Sequence, residues 1–262
     1  MHPTTNRTAF RRGVRVTFSP ESDKVSAVRR IARKSDAHPD VARSLLSVRP
    51  AATIPVVKTI TVGISGASGA LYAQRLLMQL EASVEVRQIN LVISGPGRRV
   101  ISDELDITSA ADTEQIVAEM IGRPSAKTIV FHPGDIGASI ASGSYPVDAM
   151  VIIPCSASTL GVLASGSCRN LLHRAADVCL KEGRKLVLVP RETPLSTIHL
   201  ENMLKLRQAG AMIVPAMPAF YHRPLNIIEM ADHFIYRVMD HLGLAHSQET
   251  VWQGDVRPVA NT

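Results

Sequence analysis

Apolar and polar positions fall into blocks along residues 59–242, and the block type switches regularly. Thr59-Ile-Thr-Val-Gly-Ile-Ser65 is a β-branched run, which reads as a buried strand. Residues 70–81 follow with Leu71, Leu76, Leu77 and Leu80 at helical spacing. Further strands are predicted over Asn90–Ser94, Thr128–Phe131, Ala149–Ile153, Lys185–Val189 and Ala211–Val214. Pro154, Pro190 and Pro215 stand as stops behind the last three, since proline cannot donate to a strand ladder. Helices are predicted over 96–104, 113–121, 159–163, 171–181, 197–209 and 227–242. This alternation predicts an α/β fold with a doubly wound, mostly parallel sheet and helices on both faces. Ligands bind such sheets outside the carboxyl ends of the strands, so the residues after each strand carry the functional reading.

Five strand ends are polar or glycine-rich. Gly66-Ala67-Ser68-Gly69 leads from the first strand into a helix, a turn that allows close backbone approach and offers free N–H groups to an anion. It has neither the dinucleotide fingerprint spacing nor the Walker lysine, and a tight packing turn is the plain alternative. Ser94 follows the second strand. Ser156, Ser158 and Thr159 follow Pro154 at a helix start, where they suit an anion or a flavin ring, or simple capping. Arg191 and Glu192 lie side by side after Pro190, and Phe220-Tyr221-His-Arg-Pro224 follows the last strand. The convergence points to an enzyme that holds a phosphorylated cofactor.

Composition adds limits. Aromatics are 4% of 262 residues, so base-stacking surfaces are few and nucleic-acid binding is not expected. No apolar run approaches the roughly 20 residues of a membrane helix. The net charge of +6 gathers in residues 1–58, a basic arm poor in acids that reads as a flexible extension or a mitochondrial transit peptide. Short helices over Val25–Lys34 or Pro39–Leu46 fit within it. Cys155, Cys168 and Cys179 have no Cys-x-x-Cys spacing, which argues against a disulfide framework or zinc and for a reducing, cytoplasmic setting. No metal site is expected.

Several blocks resemble the UbiX flavin prenyltransferase family: Gly66-Ala-Ser-Gly-Ala70, Ala141-Ser-Gly-Ser144, Pro154-Cys-Ser156, Arg174-Ala-Ala-Asp-Val178, Leu186-Val-Leu-Val-Pro-Arg-Glu-Thr-Pro-Leu195, Ile198-His-Leu-Glu-Asn-Met-Leu204 and Pro218-Ala-Phe-Tyr-His-Arg-Pro224. The resemblance spans residues 59–252, leaving the arm at 1–58 and a tail at 253–262. It implies a flavodoxin-like three-layer sandwich and a homo-oligomer built from trimers, up to a dodecamer. It also implies metal-independent transfer of a dimethylallyl group from dimethylallyl phosphate to N5 and C6 of reduced FMN, for use by a UbiD-type decarboxylase.

The resemblance places FMN against Gly66, Ala67, Ser68, Ser94 and Arg191, and against Ser156, Ala157, Ser158 and Thr159. It places the prenyl phosphate at Tyr221 and Arg237, with Ser142, Arg174 and Lys181 at further phosphate-side positions. Glu104 and Glu192 match its acid/base carboxylates, and Ser68 assists proton transfer. The chemistry is coherent, because a phosphate leaving an allylic carbon needs cationic and hydroxyl donors and a proton source. Each residue also has a plain alternative: Arg174 and Lys181, seven apart on one helix, make an ordinary solvated stripe. Two departures stand out. Gly95-Pro96-Gly97 stands where the family often has a lysine after Ser94, and Ile136 stands where some relatives place a tryptophan. The competing readings are an FMN-dependent cysteine decarboxylase of the same superfamily and a non-catalytic flavin-binding subunit of a decarboxylase.

Overall fold

The computed structural model describes residues 57–246, apart from 109 and 111. The helices suggested within 25–46, almost all of the basic arm, and the tail lie outside the described residues. Six parallel strands run in the order β3-β2-β1-β4-β5-β6: β1 (Lys58–Ile64), β2 (Val86–Ile93), β3 (Thr128–Phe131), β4 (Ala149–Cys155), β5 (Lys185–Pro190) and β6 (Met212–Ile213). The helices are α1 (Ala70–Ala82), α2 (Gly95–Leu105), α3 (Thr113–Ile121), α4 (Ala157–Ala164), α5 (Leu171–Lys181), α6 (Thr197–Gln208) and α7 (Ile227–Leu242). The expected doubly wound parallel sheet is what forms.

The central strands are buried along almost their whole length, as a sheet covered on both faces requires. Alternate side chains of β4 then feed two separate cores. Val151 and Ile153 pack with residues of α1, α3 and α7, whereas Met150 and Ile152 pack with residues of α4, α5 and α6. The period of two along a strand thus sorts the helices into layers. Because β1 winds toward β2 and β4 winds toward β5, the chain leaves the sheet in opposite directions between β1 and β4. That is the topological switch point, where such folds open a crevice.

Several sequence boundaries move, and two of the shifts have a visible cause. β2 begins four residues before the expected Asn90, because Arg87 and Gln88 satisfy their polar ends locally: Arg87 donates to Thr59 Oγ1 (3.0 Å) and Gln88 to Tyr145 Oη (2.8 Å). β4 runs through Pro154 rather than ending before it. Pro154 still offers its carbonyl, which accepts from Ser65 N (3.2 Å) and Ser65 Oγ (2.9 Å), and pairing resumes at Cys155 opposite Pro190.

Candidate active site

The switch-point crevice is built by close approach of backbone. A Cβ on Gly97 would lie 2.6 Å from the carbonyl oxygen of Ile64, and one on Gly66 would lie 2.3 Å from Cβ of Pro96. The start of α2 therefore nests against the end of β1, and Gly95-Pro96-Gly97 forms the first turn of a helix. Ser94 caps it, accepting from Gly97 N at 3.1 Å. Ser65 ties β1 to β4, its hydroxyl accepting from Ser156 N at 2.8 Å. Ser156 caps α4, accepting from Thr159 N (3.2 Å) and donating to Thr159 Oγ1 (3.0 Å).

These groups border a cavity of about 310 Å³ that also takes in Gly66, Ser158, Arg169, Asn170 and His173. Ala67 is buried and Ser68 exposed in the adjoining turn. Ala157 opens α4. The donor set is hydroxyls and helix N-termini beside a glycine that leaves no room for a side chain, which fits the phosphate and hydroxyl tail of a flavin nucleotide. Buried in the β4 end, the Cys155 thiol is pushed far above its ordinary range and is a packing group, not a nucleophile. Burial likewise pushes the Cys179 thiol up to about 11.

Beside the cavity, two charged residues meet the β1 turn, and a third follows one of them in sequence. The Glu104 carboxylate accepts from Gly69 N (2.9 Å) and Ala70 N (2.7 Å), so α2 supplies the acid that covers the N-terminus of α1. Arg191 reaches back from β5 to donate to the Ser68 carbonyl at 3.1 Å. Glu192, exposed next to it, accepts from Thr193 N at 3.0 Å and borders a second cavity of about 240 Å³ with Arg191, Met203 and Met217. Ser68, Glu104 and Arg191 are thus brought together, with Glu192 next to Arg191 in sequence.

The phosphate-side set is divided. Tyr221 and Arg237 border one cavity of about 390 Å³ on the α7 side, where the Tyr221 hydroxyl meets Nε2 of His233 at 3.2 Å. Arg174 and Lys181 lie on α5, in the opposite layer. Ser142 stands near them: Arg174 donates to the Ala141 carbonyl at 3.1 Å, and a Cβ on Gly143 would lie 2.8 Å from Nζ of Lys181. One chain therefore holds two cationic groups on opposite faces of its sheet.

Sequence reading passed over Arg169, Asn170, His173 and His233. Asn170 was detectable, since an asparagine before an apolar helical run is a capping signal; it accepts from His173 N at 3.0 Å. Ile136 stands exposed.

Among the described residues, no helix is long and apolar enough to cross a membrane, and no group of acidic, His or Cys side chains is arranged to hold a metal ion.

Comparison with known proteins agrees with this geometry. The Flavoprotein family matches residues 52–234. Flavin prenyltransferase UbiX of Alkalihalophilus pseudofirmus is 44% identical over 197 residues, covering 75% of this chain and 97% of that protein. A dodecameric FMN-dependent UbiX-like decarboxylase from Escherichia coli superposes with a TM-score of 0.66 at 42% identity, over 75% of this chain and all of that one. AnUbiX, solved in complex with FMN and dimethylallyl pyrophosphate, gives a TM-score of 0.64 at 38% identity, over 72% of this chain and 93% of that one. The cysteine-decarboxylase and accessory-subunit readings are not favoured beside these relatives. The chain belongs to the UbiX flavin prenyltransferase family.

Proposed function

We propose that this chain transfers a dimethylallyl group from dimethylallyl phosphate to reduced FMN, at N5 and C6, giving prenylated FMN for a UbiD-type decarboxylase. The observation that carries this reading is the junction at the β1 turn, where Glu104, Arg191 and Ser68 meet beside a hydroxyl-lined crevice. Reduced FMN, when bound, supplies the nucleophilic positions that accept the five-carbon unit.

The remaining work falls to the chain. Ser94, Ser156, Ser158 and Thr159, with the turn Gly66-Ala67-Ser68 and Ala157 at the α4 start, hold the nucleotide. The Arg191 guanidinium, fixed by the Ser68 carbonyl, balances its negative charge. Glu192, which borders a cavity with Arg191, gives a proton to departing phosphate or takes one from the acceptor. Glu104 shares that proton work, with the Ser68 hydroxyl as a short relay.

Tyr221 and Arg237 bind the prenyl phosphate from one side, and Ser142, Arg174 and Lys181 from the other. Since the two groups occupy opposite layers, we take them to meet across a contact between copies, in a homo-oligomer based on trimers. Three free cysteines fit a cytoplasmic setting.

The test is an anaerobic reaction of the purified protein with FMN, dithionite and dimethylallyl phosphate, with mass spectrometry of the released flavin. A gain of one five-carbon unit, absent in Glu192→Gln, is expected. Tight FMN binding with no adduct, from either the monophosphate or the diphosphate donor, would overturn the assignment.

A further inference from the structure

Tyr221 and His222 are the central residues of a tight turn, which Arg223 N closes by donating to the Phe220 carbonyl at 2.9 Å. Arg223 takes a left-handed φ of 52°, a conformation that a non-glycine residue holds only where its surroundings fix it. Both turn rings pack on one side chain of α7. Tyr221 meets His233 edge-on, with ring centroids 5.3 Å apart at 83°, and His222 lies flat on the same ring at 3.9 Å and 6°. His233 is 3% exposed, among the apolar residues Ala231, Phe234 and Ile235 of the helix. An apolar side chain would be the cheaper occupant there, because a buried imidazole needs hydrogen bonds. Its Nε2 lies 3.2 Å from the Tyr221 hydroxyl. Arg237, one turn further along α7, borders the same cavity as Tyr221 and His233.

We propose that His233 is a positioning residue for the prenyl phosphate: its Nε2–H donates to the Tyr221 oxygen and so turns the Tyr221 O–H toward the phosphate. The inference rests on the prenyl-transfer reading and adds a residue that the reading leaves without a role. Proton count decides the direction of the bond. A phosphate dianion offers acceptors alone, so Tyr221 binds it only by donating. A phenol has one hydrogen. With Nε2 bare, that hydrogen would go to the imidazole, and the oxygen lone pairs would face the phosphate. With Nε2 protonated, the phenol oxygen accepts from the ring and its own hydrogen serves the ligand. A donor behind the oxygen also polarises the outgoing O–H, which strengthens it. His222, flat on the imidazole, holds the ring plane toward Tyr221.

The experiment titrates inorganic phosphate by calorimetry into the full chain saturated with FMN, so that the flavin's own phosphate site is filled. Tyr221→Phe and His233→Phe should each weaken phosphate by about tenfold. The two together should weaken it no more than about twofold beyond Tyr221→Phe, because without the hydroxyl His233 has nothing to orient. His233→Gln, whose amide N–H reaches the place of Nε2, should recover most of the loss, and the shorter His233→Asn should not. FMN affinity should stay within about twofold throughout. The same pattern is expected in kcat/KM for dimethylallyl phosphate. Losses that multiply in the double variant, a Gln variant as weak as Phe, or a parallel loss of FMN affinity would overturn the assignment of His233, as would no measurable phosphate binding by the unaltered chain. Phosphate binding with the expected pattern but no flavin adduct would instead overturn prenyl transfer and leave the His233–Tyr221 unit standing.

Discussion

At the β1 turn, each functional group is tied to a distant part of the chain. Glu104 holds backbone 34 and 35 residues away, Arg191 holds a carbonyl 123 residues away, and Ser65 joins β1 to Ser156, 91 residues on. The two cationic clusters are held otherwise. Arg174 pairs with Asp177 and Arg237 with Asp240, each three residues along its own helix, and Lys181 pairs with the neighbouring Glu182. Contacts of the first kind form only when the fold forms, and they fix geometry before any ligand arrives. Exposed pairs of the second kind contribute about 0.3–0.5 kcal/mol. A charge-assisted hydrogen bond to a phosphate contributes about 1.5–3 kcal/mol. An incoming phosphate therefore wins each cation from its acid. On the proposed function, the flavin side is preassembled and the donor side is exchangeable.

The largest expected effect breaks the chemistry and spares the preassembly. Glu192→Gln should slow adduct formation by about 10²- to 10⁴-fold. Among the described residues its side chain accepts from its neighbour Thr193 alone, so the FMN titration should be unchanged. Parallel loss of FMN affinity would place Glu192 in the preassembled set and not in the proton transfer.

The second effect tests whether the cationic clusters meet across copies. Lys181→Ala and Tyr221→Phe should each cut adduct formation by about 10- to 100-fold. Co-expressed in equal amounts, the two variants should recover about a quarter of the unaltered activity, because sites drawing each cluster from a different copy would sometimes receive both intact. No recovery in co-assembled oligomers would mean that one chain supplies both clusters.

The same division marks how far the sequence could be read. The β-branched runs placed every strand, and the hydroxyls and glycines after them placed the crevice. Thr113–Ile121 and Leu171–Lys181 have the same bounds in the sequence pattern and in the structure. What periodicity could not convey was the layer. Arg174 and Lys181 share a helix face by spacing alone, but whether that helix lies with α7 or against the other core depends on which way the chain turns at the sheet. Nor could it show Glu104 covering the α1 terminus, since nothing in a helix-end carboxylate names a partner 34 residues earlier. His173 was hidden for a different reason: a histidine on an apolar helix face looks the same whether or not both its nitrogens are satisfied.

A smaller effect strikes the preassembled side directly. Gly97→Ala puts a Cβ 2.6 Å from the Ile64 carbonyl, a backbone atom that cannot swing aside. The resulting strain should cost about 1–3 kcal/mol, and at about 2–4 °C per kcal/mol the melting temperature should fall by several degrees. FMN affinity should fall with it, since Ser94 caps the turn that moves. Gly95→Ala is the control, because a Cβ there meets nothing within 4 Å. A melting temperature that falls no further in Gly97→Ala than in Gly95→Ala would mean that the close approach carries no cost, since alanine is the better helix former at both positions.

The smallest effect is a change of slope with pH. In the folded, flavin-free chain the His173 imidazole is held below its ordinary value by burial and by Arg169. Unfolded, it returns to about 6.5. Between those two values the unfolded chain binds more protons, so stability falls as pH falls. The contribution is level above about pH 6.5 and is lost as pH drops from there toward the folded value. The melting temperature of the unaltered protein should therefore fall more steeply than that of His173→Phe below about pH 6.5, with parallel curves above. Arg169→Gln should soften the slope, since it removes the second cause and leaves burial. Curves that stay parallel throughout would mean that the ring already reaches solvent.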